Sequence, residues 1–545
     1  MDRAIFVQFF IVLCFVPFLT FGQDRFAVHY KYKPQISYSL EAPEEFLLQK
    51  AIDRRIKEGV AVDSTDLPVS GKYVDTIAYM VEKVRYHSKW MNASIVVATQ
   101  EQMAEVATLP FIERVELVAK DFHPIGQNGK KESFRIPINF NVTSKKVNTY
   151  DFQNDILGIP AMHEEGFTGK GVMIAVFDAG FVNADKISGM KHLFEQDQIV
   201  ATKDFVLPDS DEVFRSDGHG TASLSLMASY EESKLISGAY DAHYILCITE
   251  DVGSEFKVEE YNWIRAAEFS DSLGVDIINS SLGYNLFDDP EMDYRPEDMD
   301  GKTAVITIGA TMAARKGILV ISSAGNEGNR DWKTLTAPAD ADGIIAVGSV
   351  TSSLVRSGFS STGPTFDGRL KPDLVAFGSG VTLWRWLDSP NTSSGTSFTS
   401  PQIAALAAGL WQARPEWTRE QIIENLLNSG TMADAPDTEL GFGIPNFIDA
   451  YYGEILDFEE QKESDLAVVY PNPLDGNQLF IEYGRGNQCS FRMINTWGQI
   501  ISDQSLTRNS HKFPYEIRLE NTRPGLYFIE CKENNHTQTF RLLRR

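Results

Sequence analysis

The chain has 545 residues, 43% of them hydrophobic and 23% charged, so it exceeds one ordinary domain and has the composition of a globular protein with a large core. With 75 Asp and Glu against 50 Lys and Arg, its formal charge of −25 argues against nucleic acid as a partner and leaves only a mild leaning toward basic substrates. The 4 cysteines form no Cys/His cluster with zinc spacing.

The chain opens on a targeting signal. Arg3 supplies the positive end, Ile5 to Phe21 is almost wholly apolar, and Thr20-Phe21-Gly22 places small residues where cleavage before Gln23 needs them. The competing reading, an uncleaved anchor, is opposed by the shortness of the run. Residues 23–148 then read as a small α+β unit. Ala93 to Thr99 is strand-like, Gln100 to Ala107 forms a short helix, and Ile112 to Val118 alternates as a strand does. The polar stretches Gly126 to Lys131 and Asn141 to Asn148 suit a cleavage linker, and Tyr150 to Gly166 leads into the next unit.

Val172 to Phe177 is a continuous apolar run, as in a buried parallel strand. It ends in Asp178-Ala179-Gly180, so Asp178 falls at a carboxyl strand end, where open α/β sheets hold their sites. Asp217-Gly218-His219-Gly220-Thr221 follows, with Thr221 to Tyr230 predicted helical. Cys247 lies in the strand-like Tyr244 to Ile248 and reads as a buried, inert thiol. Asn279-Ser280-Ser281-Leu282-Gly283 precedes an acidic loop from Phe287 to Gly301, whose Asp288, Asp289, Glu291, Asp293, Glu297, Asp298 and Asp300 carry the hard oxygens calcium takes. That loop lacks EF-hand spacing, and a solvated charge run is the plainer reading. Ser323-Ala324-Gly325-Asn326-Glu327-Gly328 offers a side-chain amide. Ser394-Gly395-Thr396-Ser397-Phe398 runs into an Ala- and Leu-rich helix, whose start Pro401 places close to Ser397.

Taken singly, Asp178 reads as well as a helix cap and His219 as well as a turn residue. Taken together, a carboxylate, an imidazole and a hydroxyl, each beside glycines and in this order, are what nucleophilic acyl transfer requires. The set resembles the subtilisin-like serine proteases, whose order is Asp, His, Ser. Thr168-Gly169-Lys170-Gly171-Val172, Phe359 to Pro364 and Asp367 to Asp373 add to the likeness, which spans about residues 150 to 450. The resemblance implies a secreted endopeptidase with a three-layer α/β core and a mostly parallel sheet over residues 149–455. Ser397 would be the nucleophile, His219 the base, Asp178 its orienting carboxylate, and Asn326 with the Ser397 N–H the oxyanion donors. Ser281, Leu282 and Gly283 would form one wall for a peptide added as a strand, with Ala324 and Gly325 as the pocket floor. No organic cofactor is needed for the chemistry, and structural calcium is a family option. The unit at 23–148 resembles the family's inhibitory propeptide; an ordinary small α+β domain is the alternative. One departure stands out: the family has Ser or Thr where this chain has Ala179, which removes a hydroxyl that could support the carboxylate. The rival reading is a binding protein on the same scaffold without turnover, which Ala179 favours and the complete set opposes.

After the charged stretch Glu459 to Asp465, within a linker at 456–468, residues 469–545 turn β-rich. Strand-like runs at Leu479 to Tyr483, Ser490 to Ile494, Ile500-Ile501, Glu516 to Leu519 and Leu526 to Ile529 are separated by the turn signals Trp497-Gly498 and Pro524-Gly525. Tyr470-Pro471-Asn472-Pro473, Asn495-Thr496-Trp497-Gly498-Gln499, Pro524-Gly525-Leu526-Tyr527 and the basic end Phe540 to Arg545 resemble the sorting domain of the bacterial type IX secretion route. The resemblance implies a sandwich-like domain that engages the secretion machinery; a sandwich that binds glycans or other partners is the alternative. Cys489 and Cys531 share this region and could pair in an exported protein. The expected partners are therefore protein or peptide substrates, the chain's own propeptide and the export apparatus, and the expected location is the cell surface or beyond.

Overall fold

The computed structural model describes residues 23–34, 38–122, 152–232, 234–456, 468–482, 488–508, 514–520, 522–533 and 536–545. The expected signal segment 1–22, both cleavage stretches and the charged run 459–465 lie outside these residues.

The N-terminal unit is a four-stranded antiparallel sheet with three helices. Its elements are β1 (Gln23–Tyr30), α1 (Gln49–Glu58), α2 (Gly71–Ala78), β2 (Lys83–Ser88), β3 (Ala93–Val97), α3 (Gln100–Val106) and β4 (Ile112–Phe122), with sheet order β2-β3-β1-β4. The expected strand-helix-strand at 93–118 is present. Thr99 caps α3 through a reciprocal box with Gln102. β1 and α1 carried no comparable sequence signal. α1 has a polar face and buries Arg54 and Arg55, residue types that ordinarily mark solvent.

The central unit is built on seven parallel strands: β5 (Met173–Asp178), β6 (Ile199–Asp204), β7 (His243–Ile248), β8 (Ile277–Ser280), β9 (Leu319–Ser323), β10 (Ile345–Val350) and β11 (Leu374–Phe377). Their order is β11-β10-β9-β8-β5-β7-β6. Strand side chains alternate between two cores. Ile174 and Val176 face one, with Leu224 and Met227 of helix α4 (His219–Ala228) and Ile403 and Leu406 of helix α7 (Ser400–Ala413). Ala175 and Phe177 face the other, with Tyr261, Trp263 and Ile264 of α5 (Val258–Leu273) and Ile306 and Ala310 of α6 (Val305–Arg315). Apolar residues on both faces of one sheet give the three-layer α/β fold. The strand order reverses beside β5, so the crevice opens at its carboxyl end, at Asp178.

The N-terminal sheet lies against α5, and the join is polar as well as apolar. Tyr86 donates to Asn262 at 2.6 Å, Ser88 to Glu268, and His29 meets the Tyr261 hydroxyl at 2.9 Å. Arg54 and Arg55 of α1 both reach Asp271 near the end of α5, and Lys316 reaches Asp66 at 2.9 Å. Burial would raise the Asp271 carboxyl, but Arg54, Arg55, Lys89 and Lys316 together hold it below its ordinary value.

The tail is a two-sheet β structure. Val468–Tyr470, Gln478–Glu482 and Tyr515–Arg518 form one sheet; Gln488–Asn495, Ile500–Thr507, Gly525–Glu533 and His536–Arg544 form the other. Leu479, Ile481 and Ile517 of the first share a core with Phe491, Met493 and Ile529 of the second, as in a sandwich. The basic end is a full strand: its paired register with Gly525–Glu533 gives it a partner that local sequence does not reveal. Cys489 and Cys531 both lie in this core, and contact with the Cys489 thiol, then burial, pushes the Cys531 thiol up. Cys247 is fully buried in β7.

Candidate active site

β5 delivers Asp178, fully buried, to the sheet edge, and α4 begins on His219. The helix can come so close because residue 220 is glycine: a Cβ there would stand 2.9 Å from the Asp178 Cβ. Asp217 accepts the His219 backbone N–H at 2.7 Å and so takes up one of the helix's orphan donors. His219 Nδ1 meets Asp178 Oδ1 at 2.8 Å. Burial works against the imidazolium, yet the Asp178 charge and its hydrogen bond outweigh this, so the His219 pKa lies above its ordinary 6.5.

Three groups hold the Asp178 carboxylate. Besides His219, the Ala179 N–H donates to Oδ1 at 2.8 Å and the Ser223 hydroxyl to Oδ2 at 3.0 Å. The hydroxyl missing at residue 179 is therefore supplied from α4. Ser223 stands four residues after His219, and that helical spacing was the available signal.

Ser397 sits half-buried in a 3-10 turn, Thr396–Phe398, which precedes α7 rather than starting it. Pro401 is near the first turn of α7, and the tighter turn before it carries Ser397. Ser397 and His219 make no direct hydrogen bond among the described residues; the His219 ring lies 5.5 Å from that of Phe398, the next residue. Such contacts are often long without substrate and tighten when it binds. Asn326, half-buried after β9, accepts from Thr396 N at 2.9 Å and Thr396 Oγ1 at 3.1 Å through Oδ1. Its NH2 group is then the end with donors to offer beside Ser397.

Of the expected wall residues, Gly283 is exposed, whereas Ser281 and Leu282 are buried. Ser281 turns inward and donates to the Ser397 carbonyl at 2.9 Å, a supporting contact that its sequence context did not announce. Ala324 and Gly325 lie opposite and are buried. Glu250, just past β7, also belongs to this neighbourhood. It accepts from Tyr284 at 2.8 Å, and burial followed by the nearby Asp178 charge pushes its pKa up to about 7.

The acidic loop uses its carboxylates on itself. Asp289 caps a turn through Glu291 N, Asp293 accepts from Phe287 N, and Asp300 accepts from Lys302 N and Thr303 N. Among the described residues no group of three or more His, Cys, Asp or Glu is placed to hold a metal ion, so no step is derived through calcium.

Three family models match separate stretches of the chain. The subtilase family matches residues 169–443, the peptidase S8 propeptide domain of Bacteroidota residues 25–133, and the secretion system C-terminal sorting domain residues 468–544. Subtilisin E of Bacillus subtilis (strain 168) is 25% identical over 368 residues, covering 66% of this chain and 81% of its own. Subtilisin of Bacillus pumilus is 28% identical over 278 residues, 50% of this chain and 88% of its own. Serine protease AprX of Bacillus subtilis (strain 168) is 30% identical over 298 residues, 48% of this chain and 62% of its own.

Proposed function

Because the chain belongs to the subtilase family, as a serine-type endopeptidase exported to the cell surface or beyond, we propose that Ser397, His219 and Asp178 carry its reaction. Ser397 Oγ attacks the scissile carbonyl while His219 Nε2 takes its proton. Asp178 holds Nδ1–H and stabilises the imidazolium. The tetrahedral oxyanion is received by Asn326 and the Ser397 N–H. Collapse expels the amine, which takes the proton from His219, and leaves an acyl-enzyme that water hydrolyses by the same steps.

The observation that supports this reading is the Asp178–His219 pair at 2.8 Å, with the carboxylate held by Ala179 N and Ser223. It supports turnover over the idle scaffold despite Ala179, since Ser223 and Ala179 N supply the carboxylate with donors and the carboxylate orients the imidazole. The peptide would lie between residues 281–283 and 324–325. Residues 23–148 act as the inhibitory propeptide, a reading supported by the docking of β1 to β4 on α5, and residues 469–545 engage the export machinery. The segments at 1–22, 23–148 and 469–545, the last joined through a linker at 456–468, are those removed as the catalytic unit, 149–455, matures.

A serine-directed fluorophosphonate on folded, propeptide-free protein tests this. The adduct should fall on Ser397. Ser397→Ala should keep the fold and lower turnover by roughly 10⁴-fold or more. Turnover that survives this change would remove Ser397 from the mechanism.

A further inference from the structure

The two walls of the proposed cleft are bridged by a residue in neither motif. Thr336 lies in the segment that follows Trp332. Its backbone N–H donates to the carbonyl of Ala324 on one side at 3.2 Å. The next residue, Ala337, exchanges both backbone hydrogen bonds with Tyr284, beside Gly283 on the other side, at 2.9 and 3.1 Å. A backbone tied to both walls cannot withdraw from between them.

The side chain occupies the space the glycines leave. A Cβ on Gly283 would collide with Thr336 Oγ1, and a Cβ on Gly325 would stand 2.8 Å from the same atom and 2.8 Å from Ser361 Oγ. Both walls are thus bare where they face each other, and Thr336 fills the floor. Its hydroxyl is nearly sealed, with the residue 4% exposed, and has no hydrogen-bond partner among the described residues. A buried hydroxyl without a partner is unfavourable, so this one is held in place by the packing of the two walls and not by a bond. Glu327, the nearby acid, is engaged by Arg330 at 3.0 Å and Ser361 N–H is used by Gly325, so the floor offers no ready counter-charge for a cation.

We propose that Thr336 closes the floor of the pocket for the substrate residue that supplies the scissile carbonyl, and that the enzyme selects a small side chain there, alanine or serine. This rests on the reading of Ser397 and of the two walls given above. It narrows the substrate class: cleavage follows small residues, while leucine, phenylalanine and lysine are refused because the Thr336 methyl and hydroxyl occupy the depth they need.

The test is kcat/KM of the mature enzyme on peptides that differ only at that residue. Wild type should cleave after serine and alanine at least about tenfold better than after leucine, phenylalanine or lysine. Thr336→Gly should raise leucine and phenylalanine by about tenfold or more. Thr336→Ala, which frees part of the same depth, should raise leucine and phenylalanine by a smaller factor; it carries the test if the glycine variant does not fold. Wild-type cleavage after leucine as readily as after serine would overturn the proposal. So would an unchanged profile in Thr336→Gly or Thr336→Ala whose Ser397 still takes the fluorophosphonate. If Ser397 of folded wild type takes none, the reading of the site has failed first, and the pocket falls with it.

Discussion

Ser223 donates its hydroxyl hydrogen to Asp178 at 3.0 Å from one turn along the helix that His219 begins. The same helix therefore presents to one carboxylate both the imidazole it orients and a hydroxyl that holds its second oxygen. A hydrogen bond to a charged group contributes about 1.5–3 kcal/mol. Ser223→Ala should lower kcat by roughly tenfold with little change in KM, since substrate does not touch Ser223. Steady-state kinetics check the split, and the acid limb of the pH profile should move upward as the less solvated carboxylate grips the imidazolium harder.

His219 must be neutral to accept a proton. Its pKa is raised above 6.5 by Asp178 despite burial, so the acid limb of kcat/KM should have its midpoint above 6.5, not at it. The sign for stability is the opposite. The charged pair stabilises the fold fully below pH 6.5, and that contribution is lost as pH rises through the folded-state pKa. Asp178→Asn should move the limb downward, measured on one substrate across the range.

Glu250 makes a different prediction. Its pKa is pushed up to about 7 from an ordinary 4.5, first by burial and then by Asp178. The unfolded chain releases this proton near pH 4.5 while the folded one keeps it until about 7, so stability falls as pH rises through that window. Glu250→Gln retains an acceptor for Tyr284 and removes the charge. It should raise the melting temperature above pH 7, and the gain should close as pH falls below 4.5.

Asp271 should anchor the N-terminal unit. Arg54 and Arg55 are both buried against it, and Arg55 has a second carboxylate in Asp66 at 2.9 Å. Removing one partner of a buried ion pair costs about 3–5 kcal/mol, because the other charge stays behind without compensation. In a Ser397→Ala background, which stops self-processing, Asp271→Ala should make residues 23–122 sensitive to added protease while the central unit stays folded. The docking should also weaken as pH falls below 3.8 toward the depressed pKa of Asp271, since the stabilisation is present above the unfolded value and disappears on protonation. Unchanged protease resistance would show that the ion pairs contribute little to the join.

Much of this protein is written in local runs. The apolar stretch 172–177 has the pattern of a buried strand, and Asp178, which follows it directly, is that strand's last residue. Thr99 and Gln102 declare a helix start within four residues. The tail's turns and alternating strands are read the same way. Strand β1 and the burial of Arg54 and Arg55 are not, because a strand needs its neighbours and a buried guanidinium its carboxylate. The clearest division runs through the cleft. Glycines at 283 and 325 and the residues of the three motifs are set by short-range chemistry, legible one segment at a time. Ser223 on Asp178, Ser281 on the Ser397 carbonyl and Thr336 between two bare walls depend on chain separations of 45, 116 and more than 10 residues closing in space. Such closures follow from packing two helical layers on one sheet; the spacing of Ser223 from His219 hints at the first, and no local pattern of residues encodes the other two.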